Sequence, residues 1–74
     1  MWVTIKDCGK QITDHSRLRE QADQQQKLYE VIEVEFDQYK LQLVSINDAP
    51  AEKLELVLNC EQLLQYHFEV EQAV

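Results

Sequence analysis

The chain has one glycine, Gly9, and one proline, Pro50, in 74 residues. Loops that cradle phosphate need several glycines so that the backbone can approach the ligand, so the common nucleotide-binding signatures are excluded. A calcium loop of the EF-hand type is excluded on the same ground. Serine and histidine occur only twice each, as Ser16, Ser45, His15 and His67. No Gly-x-Ser-x-Gly elbow is present. Ser16 adjoins His15, and adjacent side chains on a helix do not point together. Nothing assembles a nucleophile, a base and an orienting group, so an enzyme is not expected. Long apolar runs are missing too. The longest run of Val, Ile or Leu is Leu56-Val57-Leu58, far short of the apolar stretch that spans a bilayer as a helix.

Cysteine is limited to Cys8 and Cys60. The opening Met1-Trp2-Val3-Thr4 has no basic stretch followed by an apolar one, so it does not read as a secretory leader. The expectation is a cytoplasmic protein with free thiols, because cytosolic disulfides are rare. Cys8 with His15 and Cys60 with His67 share one spacing, which invites a zinc reading. On a helix, however, residues seven apart are separated by about 10.5 Å along the axis. Cys60 and His67 would then be unable to share an ion. No metal or other cofactor is expected.

Positive charge is the remaining scarcity. From Leu28 to Val74 there are ten acidic residues and two lysines, Lys40 and Lys53, a net −8. Residues 1–27 carry five basic and four acidic side chains, a net +1, and the whole chain is −7. Direct binding to nucleic acid needs a basic footprint. Arg17, Arg19, Lys27 and Lys10 are the only cluster, and Glu20 and Asp23 dilute it. Neither nucleic acid nor an anionic membrane is an expected partner.

What is present is a 45 % apolar composition, ordinary for a folded domain. A chain this short buries only about 60 % of the surface that its unfolded form exposes. Residues 1–74 therefore form one small domain that gains from a partner. Residues 1–13 have strand character. Trp2-Val3-Thr4-Ile5 is rich in aromatic and β-branched types, and Asp7-Cys8-Gly9-Lys10 is a turn signal. This arm is expected as a short β-hairpin or an extended segment.

Thr13, Asp14 and Ser16 offer helix caps. Beyond them Leu18, Ala22, Tyr29, Ile32, Phe36, Tyr39, Leu43 and Ile46 recur at alternating intervals of four and three, with Gln25 as one polar interruption. That is a heptad seam, and it predicts a helix over residues 14–46. A rival pattern lies inside it. Glu33-Val34-Glu35-Phe36-Asp37 and Tyr39-Lys40-Leu41-Gln42-Leu43 alternate strictly, as two strands joined at Asp37-Gln38 would. The turn lacks the Gly or Asn that two-residue hairpin loops prefer, so the helix is the leading expectation.

Asn47-Asp48-Ala49-Pro50 is punctuation suited to a helix start. A second helix is expected over residues 50–73. On a helical wheel it shows two apolar arcs, one with Leu54, Val57, Leu58, Leu64 and Phe68, the other with Leu56, Cys60, Leu63, Val70 and Val74. A simple two-helix pair needs only one stripe, so the second stripe asks for a cover.

The expected fold is mainly α: two long antiparallel helices, a helical hairpin, behind the β arm. An α+β arrangement with two β-hairpins and two helices is the alternative. The expected function is a small acidic protein–protein interaction module without enzyme activity, such as an adaptor, a chaperone or an inhibitor of a larger machine. It would dock its apolar helix faces into a partner's groove. Leu54, Val57, Leu64 and Phe68 are the expected anchors. Glu30, Glu33 and Asp37 would meet a basic surface on the partner, and Trp2 would fill a pocket, as tryptophan does at hot spots. A homodimer, two hairpins forming a four-helix bundle, is a further expectation. The alternative function is an acidic mimic of nucleic acid that inhibits a DNA- or RNA-binding protein electrostatically.

Overall fold

A computed structural model describes residues 1–7 and 10–72. The chain is mostly antiparallel sheet, 56 % strand against 9 % helix, which overturns the helical hairpin. In chain order it runs β1 (Trp2–Thr4), β2 (Arg17–Ala22), β3 (Gln25–Glu35), β4 (Gln38–Ile46), β5 (Ala49–Pro50), β6 (Glu55–Asn59), α1 (Cys60–Gln65) and β7 (Glu69–Glu71). The expected helix over 14–46 is the β2–β3–β4 meander, and the expected helix over 50–73 is broken into β5, β6, α1 and β7. The strands lie side by side in the order β1-β7-β2-β3-β4-β5, and β6 also pairs with β4. β1 returns to the sheet through β7 at the far end of the chain, not through a local hairpin with residues 11–13.

Two dipeptides make the tight turns that a helix would have forbidden. Asp23 and Gln24 both have positive φ, 48° and 66°, as do Asn47 and Asp48, 51° and 65°. Two consecutive left-handed residues match the twist of flanking strands, and Asn and Asp tolerate that region because their short side chains bond locally. Asn47 also ties the sheet together. Its Oδ1 accepts from the Gln26 N–H at 2.9 Å, and its own N–H donates to the Gln26 carbonyl at 2.8 Å. Thr13, Asp14 and Ser16 cap no helix. The Thr13 N–H donates to Ser16 Oγ at 2.9 Å and the Ser16 N–H to the Thr13 carbonyl at 3.1 Å, closing a turn ahead of β2.

The inner face of the sheet follows the strand period of two. Val3, Val70, Leu18, Tyr29 and Leu43 form one cross-strand row, and Val31, Leu41 and Leu56 another. Register slips between Leu28 and Tyr29 and between Val31 and Glu33 mark bulges, which bend the sheet and strengthen its twist. Ile5, Ile12, Leu63 and Phe68 fill the concavity and are all buried. Helix α1 is only a plug. Asn59 and Gln62 form a reciprocal capping box, each side chain bonding the other's N–H at 2.9 Å, and the sequence Asn-x-x-Gln carries that signal. His67, at φ 58°, ends the turn in the left-handed region. Cys60, at the helix start, is disulfide-bonded, so the free thiol expected there is not found. Cys8 and the turn through Gly9 lie outside the described residues.

The two apolar arcs have a simple origin. Residues two apart fall about 200° apart on a wheel drawn at about 100° per residue. Leu54, Leu56 and Leu58, alternating as the chain enters and runs along β6, therefore split into two stripes. The second stripe was the period of a strand seen through a helical projection.

Candidate functional site

The β3–β4 hairpin is built from the two longest strands, of 11 and 9 residues. β3 keeps its partners on the β2 side only as far as Val31, whose N–H donates to the Ser16 carbonyl at 2.8 Å. Ile32–Glu35 therefore form the projecting end of that strand. The turn falls at Phe36-Asp37, one residue before the expected Asp37-Gln38. Phe36 has φ 54° and is 95 % exposed. A bulky residue in the left-handed region is a genuine outlier, and a positive φ at the first loop residue is the pattern in which hairpins prefer glycine.

The outer face beside this tip carries the row Glu33, Lys40 and Val57 across β3, β4 and β6. Glu33, Glu35, Gln38, Lys40 and Val57 line a shallow depression of about 140 Å³. Val57 is 57 % exposed on an edge strand. The Lys40 Nζ lies 3.6 Å from Glu55 Oε2. Among the described residues, Glu33, Glu35 and Asp37 enter no ion pair. The tip thus presents one unshielded aromatic ring, one aliphatic side chain and three uncompensated carboxylates.

Of the eight residues expected to bind a partner, the structure gathers Glu33, Asp37 and Val57 here and scatters the others. Glu30 lies one row away on the outer face, its Oε1 3.7 Å from His15 Nδ1. Leu54 sits just before β6, where its carbonyl accepts from the Leu43 N–H at 2.9 Å. Leu64 is a half-exposed residue of α1, beside the buried Leu63. Phe68 is 1 % exposed. It meets Tyr29 edge-on at 5.6 Å and stacks on Tyr66 at 5.4 Å, so it is a core residue and not an anchor. Trp2 is used within the molecule as well. The Arg19 guanidinium lies 4.7 Å from its ring centre and donates to Glu69 Oε2 at 2.8 Å. Arg19 Nε is buried without a hydrogen-bond acceptor, a cost that this contact offsets by roughly 0.5–1 kcal/mol.

The sequence reading missed Phe36, Glu35 and Lys40 as site residues. The strict alternation from Glu33 to Asp37 was visible, but the seam placed Phe36 in a core. No helix among the described residues is long and apolar enough to cross a membrane. The disulfide at Cys60 withholds that thiolate from any metal. No protein family model, curated protein or solved structure matches the chain.

Proposed function

We propose that the protein is a non-enzymatic interaction module that docks through the β3–β4 hairpin tip onto a protein partner. The reading rests on Phe36, fully exposed in a conformation that disfavours its side chain, amid Glu33, Glu35 and Asp37. Strain of this kind persists where function selects it. The partner surface that fits is an apolar pocket rimmed by lysine or arginine. Phe36 would enter the pocket, the carboxylates would steer and orient the encounter, and Val57 on the β6 edge would extend the contact. Docking by a long apolar helix face, the mechanism first expected, has no counterpart among the described residues, whose one helix is six residues long.

A foreign partner suits this surface better than a second copy, since two acidic tips brought together would repel. The acidic mimic of nucleic acid has weaker support. Arg17, Arg19 and Lys40 interleave with the acidic residues of the outer face, so no continuous row of negative charge is formed. The compartment also belongs with the proposals. A disulfide at Cys60 favours an oxidising one over the cytoplasm.

Affinity capture from the source cells tests the docking. Wild type, Phe36→Gly and the triple variant Glu33→Lys, Glu35→Lys, Asp37→Lys would be compared at low and high salt. Proteins retained by wild type and lost from both variants carry the proposal. Identical sets from all three chains sink it. A partner lost from the triple variant and at high salt, yet indifferent to Phe36, would favour the mimic.

A further inference from the structure

On the inner face, at the end of the sheet away from the hairpin tip, lies a half-open cavity of about 320 Å³. That volume is within the range of small-molecule sites. Leu43, Ile46, Leu54 and Leu56 form its apolar wall, and Tyr29 and Tyr66 contribute rings. One carboxylate lines it. Glu20 is only 8 % exposed, the one charged residue buried among those described. It makes no hydrogen bond and no ion pair with any described residue. Lys27, its cross-strand neighbour on the same face, also lines the cavity but does not close a salt bridge onto it.

The Glu20 oxygens keep some contact with water through the cavity, but a carboxylate held among apolar side chains is costly all the same. The carboxyl group responds as physics requires. Burial raises its pKa, and the positive charge of Lys27 lowers it by less. The Tyr29 hydroxyl is also raised, first by burial and then by the negative charges of Glu20 and Tyr66. Glu20 is therefore a strong acceptor awaiting a donor, at one end of a space shaped for an apolar body. A cation suits the site better than a neutral donor, because a charge-assisted hydrogen bond to a carboxylate is the stronger one.

We infer that this cavity is a binding site for a small amphipathic primary amine, its ammonium on Glu20 and its apolar body against Leu43, Leu54 and the two tyrosines. This site is separate from the hairpin tip and does not depend on the docking reading. Occupation would supply the missing donor while covering Leu54, which is 54 % exposed at the cavity mouth.

The test is an amide NMR titration of the folded chain near neutral pH with phenethylamine and its neutral counterpart 2-phenylethanol. Saturable shifts are expected at Glu20, Tyr29, Leu43 and Tyr66, with the amine binding at least about tenfold more tightly, as a charge-assisted hydrogen bond allows. Glu20→Gln should reduce that preference to within about twofold, whereas Glu33→Gln, the same charge change on the outer face, should leave it intact. Leu54→Trp, which fills the mouth without touching the carboxylate, should weaken both ligands. The inference is overturned if neither ligand gives saturable shifts at the cavity, if Glu20→Gln keeps the preference for the amine, or if Glu33→Gln loses it equally.

Discussion

Glu20 pairs across the β2–β3 ladder with Lys27, and Glu33 pairs across the β3–β4 ladder with Lys40. As sequence the two pairs are indistinguishable. The first faces the concave side of the sheet and the second faces outward. Glu20 is buried beside aromatic rings, so its charge is a cost that a ligand could relieve. Glu33 is exposed, so its charge costs little and is available to a partner. The β3 bulge at Ile32 separates the two faces. It adds one residue between Val31 and Glu33 and so resets which side chains point inward. A carboxylate's meaning in this chain is thus set by the face it lands on.

The sharpest way to break the comparison is to truncate one apolar side chain on each face. Phe68→Ala should cost about 3–5 kcal/mol, much of the roughly 4–11 kcal/mol expected for a domain of this size. Val57→Ala should change stability by less than about 1 kcal/mol. Urea denaturation measures both, and similar midpoints for the two would erase the distinction between the faces.

Glu20→Gln comes next, with a pH signature. The Glu20 pKa is raised in the folded state, so the native chain holds its proton more tightly than the unfolded chain. Stability contributed by this group is full below the ordinary glutamate range and is lost as pH rises through the folded value. Glu20→Gln should therefore be more stable than wild type at neutral pH, on the order of 1 kcal/mol, and the gain should vanish in acid. A flat difference between Glu20→Gln and wild type across the acid range would mean that Glu20 is solvated after all.

Phe36→Gly separates stability from binding at the outer tip. Relief of the left-handed phenylalanine should stabilise the fold by up to about 1 kcal/mol, part of it offset by the freedom glycine loses on folding. Partner binding should fall at the same time. A destabilised Phe36→Gly chain would instead show that the ring supports the fold. The smallest effect belongs to Lys40 and Glu55. Both are well exposed at 3.6 Å, so a double-mutant cycle should give a coupling below about 1 kcal/mol that fades with added salt. Coupling well above that would mean the outer face is less open to water than its exposure implies.

Part of this was legible in the residues. Trp2-Val3-Thr4 read as extended, the alternation around Glu33 and Tyr39 named two strand segments, and Asn47-Asp48 marked a chain reversal. The helix signals misled for an identifiable reason. Leu18, Tyr29, Phe36, Tyr39 and Leu43 fall at heptad spacing only when residues are counted straight through turns at Asp23-Gln24 and Phe36-Asp37. Those turns have no glycine to announce them. The site was less legible still. Phe36 is apolar and in step with the seam, so only its place at a turn reveals it as a surface residue.

What the sequence alone determined is coarse and physical: an acidic chain, negative charge concentrated after Leu28, and a period of two written into its strands. The tertiary structure decided the rest. Sheet pairing joins residues far apart in the chain, such as Val3 with Val70 and Leu18 with Val70, and no local pattern encodes such contacts. Those pairings fix which face is concave. That choice buries Glu20 and Phe68 while it leaves Glu33 and Phe36 in water.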